Sequence, residues 1–168
     1  MKIVTLVENT TSSPDLRCKH GLSLYIETAN HKIFFDLGTN GLFAENAKKQ
    51  GKIVADTFDH EHNLLITEQD KKVLVAGCSH AGIVNIQRKA EVVAGQKMSA
   101  VIGGFHLYNP PTKKYESATF IDEVAEELAK TEAVYYTGHC TGVKAYDRMR
   151  ETLGERLYHI STGGTVTL

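Results

Sequence analysis

The sequence lacks long hydrophobic runs, an excess of charge of either sign and any regular spacing of cysteines. No apolar stretch is long enough to cross a bilayer, and residues 1–7 fit a first strand better than a signal peptide. The 19 basic residues nearly balance the 20 acidic ones, leaving a formal net charge of -1. This balance argues against nucleic acid or a membrane surface as the main partner.

The cysteines are few, odd in number and widely separated. Cys18, Cys78 and Cys140 form neither a CxxC pair nor a disulfide framework, so we expect a reducing cytoplasm. The chain has 168 residues, of which 42% are hydrophobic, and this suits one domain with its own core. Because no linker-like stretch interrupts the sequence, we predict a single domain over residues 1–168.

Hydrophobic periodicity predicts strands in hairpins in the first half of the chain and alternating strands and helices in the second. Strands are predicted at 2–8, 22–28, 32–36, 62–67, 72–76, 98–103, 133–137, 156–160 and 164–168. Helices are predicted at 42–50, about 80–93, 117–130 and 141–153, with a loop at 104–116. This order predicts an α/β (α+β) sandwich with mixed sheets and helices on the outside.

Three histidines follow predicted strands at equivalent positions, each close to glycine. His80 lies in GCSHAG, His106 in GGFHL and His139 in GHCTG. Ligand sites of α/β sheets gather in loops at strand ends, and neutral imidazole is a common zinc ligand. The three histidines could therefore hold one divalent metal ion. The alternative is that each is an ordinary hydrogen-bonded residue at a strand end.

Other residues could also take part in a metal site. Cys78 and Cys140 could be thiolate ligands, or simply small buried hydrophobic residues. Asp36 ends an apolar run and could orient a ligand histidine from behind, or serve only as a turn former. His60 and His62 would share one face of a strand and form a weaker alternative metal site. A solvated strand start is the competing explanation for that pair.

Two predicted helix N-termini follow His80 and His139. Free N–H groups and the positive end of the helix dipole at these points could hold an anion. The nearby contacts for a substrate or anion would then be Ser79, Cys78, Thr141 and Gly142. The alternative is that Ser79 and Thr141 only cap the helices.

Several stretches together resemble one branch of the metallo-β-lactamase-fold metal-dependent hydrolases. This branch is described as β-lactamase superfamily II, or as dihydropterin ribofuranosyl-aminobenzene phosphate synthase-like. The matching stretches, in order, are LVENT at 6–10, HGLSLYIET at 20–28 with FDLG at 35–38, GCSHAGIVN at 77–85, VIGGFHL at 101–107 and HCTG at 139–142. The resemblance implies an αβ/βα sandwich with a metal site along one edge of its sheets.

The resemblance also implies roles for particular residues. It places His80 and His139 at metal-ligand positions, His106 at the site as ligand or substrate contact, and Asp36 in a supporting position. His20, which opens a matched stretch, is a further candidate for contact with substrate or an anion. The implied chemistry is metal-assisted hydrolysis of a small molecule, with zinc, or else iron or manganese, as the metal.

The sequence departs from the family in one large respect, because it contains no HxHxDH motif. The family places that motif after the helix that is predicted here to end near Gly51, and the motif supplies several metal ligands. We therefore infer an internal deletion near residues 51–58 and a truncated sandwich.

Two expectations follow from this deletion. The function expected is that of a hydrolase relative with one metal ion and weak or no activity. The alternative is a non-catalytic ligand-binding or assembly protein. Sheet edge or core surface uncovered by the deletion predicts a homodimer or a higher homo-oligomer.

Overall fold

The computed structural model describes residues 1–37, 46, 49–50 and 63–168. The chain divides into two compact units, of which unit 1 is Met1–His62 with Ile160–Leu168 and unit 2 is Asn63–His159. Most of the predicted helix at 42–50 lies outside the described residues, as do His60, His62 and the inferred deletion. The expectation of a single domain stays a prediction.

The described residues form eleven strands and three α-helices. The strands are β1 (Lys2–Val7), β2 (Ser23–Glu27), β3 (Lys32–Leu37), β4 (Leu64–Glu68), β5 (Lys71–Val75), β6 (Ala100–Gly103), β7 (Tyr108–Asn109), β8 (Lys114–Tyr115), β9 (Val134–Thr137), β10 (Leu157–His159) and β11 (Thr165–Thr167). The helices are α1 (Ile83–Ala94), α2 (Ala118–Ala129) and α3 (Val143–Leu153). None of the helices in the described part of the chain is long and apolar enough to span a membrane.

Unit 1 contains a four-stranded antiparallel sheet in the order β11-β1-β2-β3. β2 and β3 form the predicted hairpin, and the backbone N–H of Thr28 donates to the carbonyl of His31 across its turn (2.9 Å). Tyr25 and Phe34 pack edge to face with their ring centroids 5.2 Å apart. Burial of such apolar side chains is the main stabilising contribution of this sheet.

Unit 2 contains a five-stranded mixed sheet in the order β10-β9-β6-β5-β4. β4 and β5 form an antiparallel hairpin, whereas β5, β6, β9 and β10 run parallel. The parallel strands β5 and β6 are rich in buried valine, isoleucine and alanine, as expected for strands that are buried on both faces. The carboxyl ends of β5, β6 and β9 lie at one edge of the sheet, because these strands are neighbours and parallel.

The helices begin and end where glycine and serine favour a boundary. α1 ends at Gly95, whose φ of 62° is the left-handed conformation that favours glycine. α2 begins after Ser117, whose hydroxyl accepts a hydrogen bond from the backbone N–H of Phe120 (3.2 Å). The sequence-based prediction of a mixed α/β fold is confirmed.

Three local predictions need correction. The segment predicted as loop at 104–116 contains the short β7–β8 hairpin. α1 begins at Ile83 rather than near 80, and α3 begins at Val143 rather than 141. In both cases a turn first carries the chain away from the strand end, and a glycine follows before the helix can start.

Candidate metal centre

The loops that follow β5, β6 and β9 meet at one edge of the sheet in unit 2. Gly103, with φ of 153°, lies so close to β5 that a Cβ atom there would be 2.1 Å from the carbonyl oxygen of Ala76. At Gly104 a Cβ atom would lie 2.6 Å from Cys140 Sγ and 3.2 Å from His139 Cδ2. Glycine at these positions therefore allows the three loops to approach one another.

Three potential metal ligands lie together where these loops meet. The donor atoms of Cys78, His139 and Cys140 all lie within 4.8 Å of one another. Cys78 Sγ is 3.0 Å from His139 Nε2, and the Cys140 thiol is directed at the carbonyl oxygen of Cys78 (3.4 Å). His139 and Cys140 are buried, whereas Cys78 is partly exposed.

The other two predicted histidine ligands form a pair. The rings of His80 and His106 have centroids 4.1 Å apart and are tilted by 52°. Both residues are exposed. The backbone N–H of His106 donates to Cys140 Sγ (3.3 Å), so the loop that carries this ring adjoins the thiol cluster. The structure therefore places all three predicted histidines on the three loops of one sheet edge.

Each of these loops holds a non-glycine residue in the left-handed backbone region. Ser79 has φ of 58°, His106 of 55° and His139 of 52°. Such conformations cost roughly 1–3 kcal/mol and persist only where the surrounding structure enforces them. Strain of this kind concentrates at functional sites, and here it occurs once in each converging loop.

The buried side chain of Thr141 connects the loop after β6 to the loop after β9 through hydrogen bonds. Its hydroxyl accepts a hydrogen bond from the backbone N–H of Phe105 (2.9 Å) and lies 2.5 Å from the hydroxyl of Thr137. The Thr137 hydroxyl donates to the carbonyl of Gly103 (2.7 Å). Thr141 is completely buried, so its hydroxyl holds the loop after β6 against the loop after β9.

Neither Ser79 nor Thr141 caps a helix, although the sequence offered that role as an alternative. The N-cap residues are Gly82 for α1 and Gly142 for α3, and neither helix has a side-chain cap. Capping by either hydroxyl is therefore wrong, because α1 begins four residues after Ser79 and α3 begins two residues after Thr141. Contact of Ser79, Cys78, Thr141 or Gly142 with substrate or an anion stays a prediction.

The pKa of the Cys78 thiol is raised well above its usual value. The hydrogen bond with Cys140 is the largest cause, burial adds to it, and the hydrogen bond with His139 opposes it. The thiol is therefore neutral near pH 7 in the metal-free protein. A bound divalent cation reverses this balance, because a coordinating thiol loses its proton.

The donor set fits a metal of the kind that the family implies. Two cysteine thiols and one imidazole nitrogen are ligands that zinc binds in tetrahedral sites, and iron also accepts them. The sequence interpretation gave less weight to Cys78 and Cys140 than to the histidines. Both cysteines lie in the same glycine-flanked strand-end motifs as the histidines, and this position could have identified them as equally strong ligand candidates.

Two predicted residues belong to unit 1. His20 is exposed, and its Nδ1 lies 3.3 Å from the side-chain oxygen of Asn9. Asp36 lies in β3 with φ of 53° and is partly buried. Their proposed contacts with substrate and with a ligand histidine stay predictions.

Comparison with known proteins identifies the class of fold. No protein-family profile matches the sequence. A solved metal-dependent hydrolase of the β-lactamase superfamily matches the structure with a TM-score of 0.78 and 14% sequence identity. The match covers 100% of this chain and 99% of that protein. The chain therefore has the metallo-β-lactamase-like αβ/βα sandwich fold.

Sequence comparison points to one branch of these proteins. The chain is 33% identical over 116 residues to 7,8-dihydropterin-6-methyl-4-(beta-D-ribofuranosyl)-aminobenzene-5'-phosphate synthase of Methanocaldococcus jannaschii, covering 68% of this chain and 38% of that protein. An uncharacterized protein of the same organism is 30% identical over 106 residues, covering 61% of this chain and 36% of that protein. The resemblance inferred from the motifs is confirmed, and the match spans less than two fifths of each curated relative.

Proposed function

We propose that this chain is a relative of the metal-dependent hydrolases that binds one divalent metal ion at the strand-end loops of unit 2. Zinc is the first choice, ahead of iron and manganese. The observation that carries the proposal is the cluster of two thiols and one imidazole, whose donor atoms lie within 4.8 Å of one another. Three protein ligands and one open position are the usual arrangement of a catalytic zinc site.

Two ligand sets can be drawn from these loops, and both include His139. One adds Cys78 and Cys140, which already lie close to it. The other adds His80 and His106, as the family resemblance implies. We favour the first set for the metal because its donors converge in the structure. In that arrangement the imidazoles of the second set, which are exposed, are the proposed contacts for substrate.

The proposed reaction is hydrolysis of a small-molecule substrate at a low rate. A bound metal ion would supply polarisation of the scissile group and a lowered pKa of bound water. The sequence contains no HxHxDH motif, so the aspartate that the family places beside the water is missing. This absence supports weak activity, and it favours non-catalytic ligand binding as the second candidate function.

The test is the metal content of the purified protein, measured by elemental analysis after incubation with zinc, iron or manganese. We expect about one metal ion per chain, in line with a single site. His139→Ala should abolish binding, and Cys78→Ala with Cys140→Ala should do the same. If His80→Ala with His106→Ala abolishes binding instead, the histidine set holds the metal.

Matched control variants separate ligation from general damage. His31→Ala removes an exposed histidine at the β2–β3 turn, and Cys18→Ala removes the exposed cysteine, so both should keep full metal content. Absence of metal from the wild-type protein under all three conditions would contradict the proposal. A screen of small esters, amides and phosphate esters on the loaded protein then decides between weak hydrolysis and binding alone.

We also propose a cytoplasmic location and assembly as a homodimer. Two observations support assembly. β4 is the outer strand of the five-stranded sheet among the described strands, and it begins six residues after the segment 51–58 where the sequence indicates a deletion. An outer strand and apolar surface beside it are features that a second copy of the chain can cover.

A further inference from the structure

Two cysteines from different loops of unit 2 lie close enough to react with each other. The sulfur atoms of Cys78 and Cys140 are within 4.8 Å, although 61 residues separate the two positions in the motifs GCSH and GHCTG. The Cys140 thiol also contacts the carbonyl oxygen of Cys78 at 3.4 Å. The third cysteine, Cys18, is exposed and belongs to unit 1.

We propose that Cys78 and Cys140 form a reversible disulfide, and that this bond and the metal ion compete for the same two sulfur atoms. Formation of the disulfide depends only on the two thiols. Its effect on metal content rests on the proposed function. In a reducing compartment such a bond forms transiently, which is how disulfides in cytoplasmic proteins usually act.

Closing the bond requires the two sulfur atoms to move toward each other. A disulfide requires the sulfur atoms to approach to about 2.05 Å, so both side chains must rotate about their Cα–Cβ bonds. Gly104 lies directly against Cys140 Sγ and has no side chain to fill that space. Both cysteines lie in loops, Cys78 after β5 and Cys140 after β9, so closing the bond requires no change within either strand.

The exposure of the two thiols sets the order of reaction. Cys78 is partly exposed, so an oxidant from solution reaches it first, whereas Cys140 is buried. The thiolate is the form that attacks a disulfide, so the raised pKa of Cys78 makes this exchange slow near pH 7. The oxidant is a small-molecule disulfide. In the first exchange the Cys78 sulfur bonds to one half of the oxidant, and the other half leaves as a thiol that carries the Cys78 proton.

The second exchange takes place within the protein. The Cys140 sulfur attacks Cys78 Sγ and displaces the remaining half of the oxidant, which leaves as a thiol with the Cys140 proton. One S–S bond of the oxidant and two S–H bonds of the protein break, while one protein S–S bond and two small-molecule S–H bonds form. The protein loses two electrons and the oxidant gains them.

The experiment uses a Cys18→Ser background, because the exposed Cys18 would otherwise react with the oxidant as well. Metal-free protein is treated with glutathione disulfide, then digested and analysed by mass spectrometry without reduction. We expect a cross-linked peptide pair containing Cys78 and Cys140, no retained glutathione and no free thiol. Reduction with dithiothreitol should restore both thiols.

Two variants test the order of the exchanges. Cys140→Ser should trap glutathione on Cys78, because the second thiol is missing. Cys78→Ser should leave the buried Cys140 largely unmodified. Retention of glutathione on Cys78 in the background protein, with Cys140 still reduced, would overturn the proposal. That result needs no variant at either position of the pair, so it stands even if one of them folds poorly.

Metal content separates this inference from the proposed function. We expect oxidised protein to take up no zinc, reduced protein to take up zinc, and zinc-loaded protein to form the disulfide more slowly. If the disulfide forms but the reduced protein takes up no metal, the proposed function is wrong and so is the competition between metal and disulfide. The disulfide itself is still supported. If metal binds and no disulfide forms, the inference fails alone.

Discussion

Gly104 shows how one residue without a side chain determines the shape of the candidate site. Gly104 follows β6 and lies against the loop after β9. A Cβ atom at Gly104 would be 2.6 Å from Cys140 Sγ and 3.2 Å from His139 Cδ2. Cβ atoms in proteins do not approach a sulfur atom as closely as 2.6 Å, so any larger residue must push the cluster apart. The thiol cluster therefore depends on the backbone at this position.

We predict that Gly104→Ala lowers metal content, because its methyl group displaces Cys140 and His139 from their present positions. The measurement is elemental analysis beside a thermal melt. Gly95→Ala is a suitable control, since nothing lies within 4 Å of a Cβ atom there. That control should lose about 1 kcal/mol of stability, because Gly95 has positive φ, but keep its metal. Full metal content in the Gly104→Ala protein would contradict the prediction.

At the scale of elements, the partly buried acidic residue Glu91 connects α1 to the segment before β6. Glu91 accepts hydrogen bonds from Lys97 Nζ (2.7 Å), Gln87 Nε2 (3.2 Å) and the backbone N–H of Met98 (3.4 Å). Burial alone would raise the pKa of this carboxyl, but the hydrogen bonds outweigh it and the pKa is lowered. Glu91 thus links α1 to the start of β6.

The lowered pKa of Glu91 gives a prediction with a defined sign. Its stabilising contribution is present above the unfolded-state pKa near 4.5 and is lost as pH falls through the lower folded-state value. Glu91→Gln should reduce the free energy of unfolding at pH 7 by about 1 kcal/mol, and by less at pH 3. Denaturant titrations at the two pH values measure this. The exposed Glu123→Gln should show neither effect, and equal losses for Glu91→Gln at both pH values would refute the prediction.

At the scale of the whole molecule, an apolar groove lies beside the outer strand β4. Its walls come from the β4–β5 hairpin and α1, including Leu65, Leu74, Ile86 and Val93. Val93 is 68% exposed, which is unusual for a valine within a helix that packs on a sheet. Together with the edge of β4, this groove is the surface that we expect a second copy to cover.

We predict that the protein is a homodimer and that Val93→Glu weakens it, because a charge in an apolar interface loses its water on association. Sedimentation should give twice the chain mass of 18.5 kDa for the wild-type protein. Phe120→Glu changes an exposed apolar residue on α2 and should leave the dimer intact. A wild-type mass of one chain at high concentration would show that the homodimer prediction is wrong.

The fold could be predicted in large part because it depends on local patterns. The hairpin at 22–28 and 32–36 follows from alternation, and the helix at 117–130 follows from helical spacing. The starts of α1 and α3 were placed too early, because the turns after His80 and His139 depend on packing between loops. The β7–β8 hairpin was missed for a similar reason, since its strands have only two residues each.

By itself, the sequence determined the class of fold, the order of its longer strands and helices, and the three loops on which candidate ligands lie. These follow from hydrophobic periodicity and from glycine-flanked motifs, which act over a few residues. Only the tertiary structure decided which side chains converge, bringing Cys78 to His139 and pairing His80 with His106. Distances between side chains on separate parallel strands depend on sheet register and loop path, and neither is encoded in any one stretch of sequence.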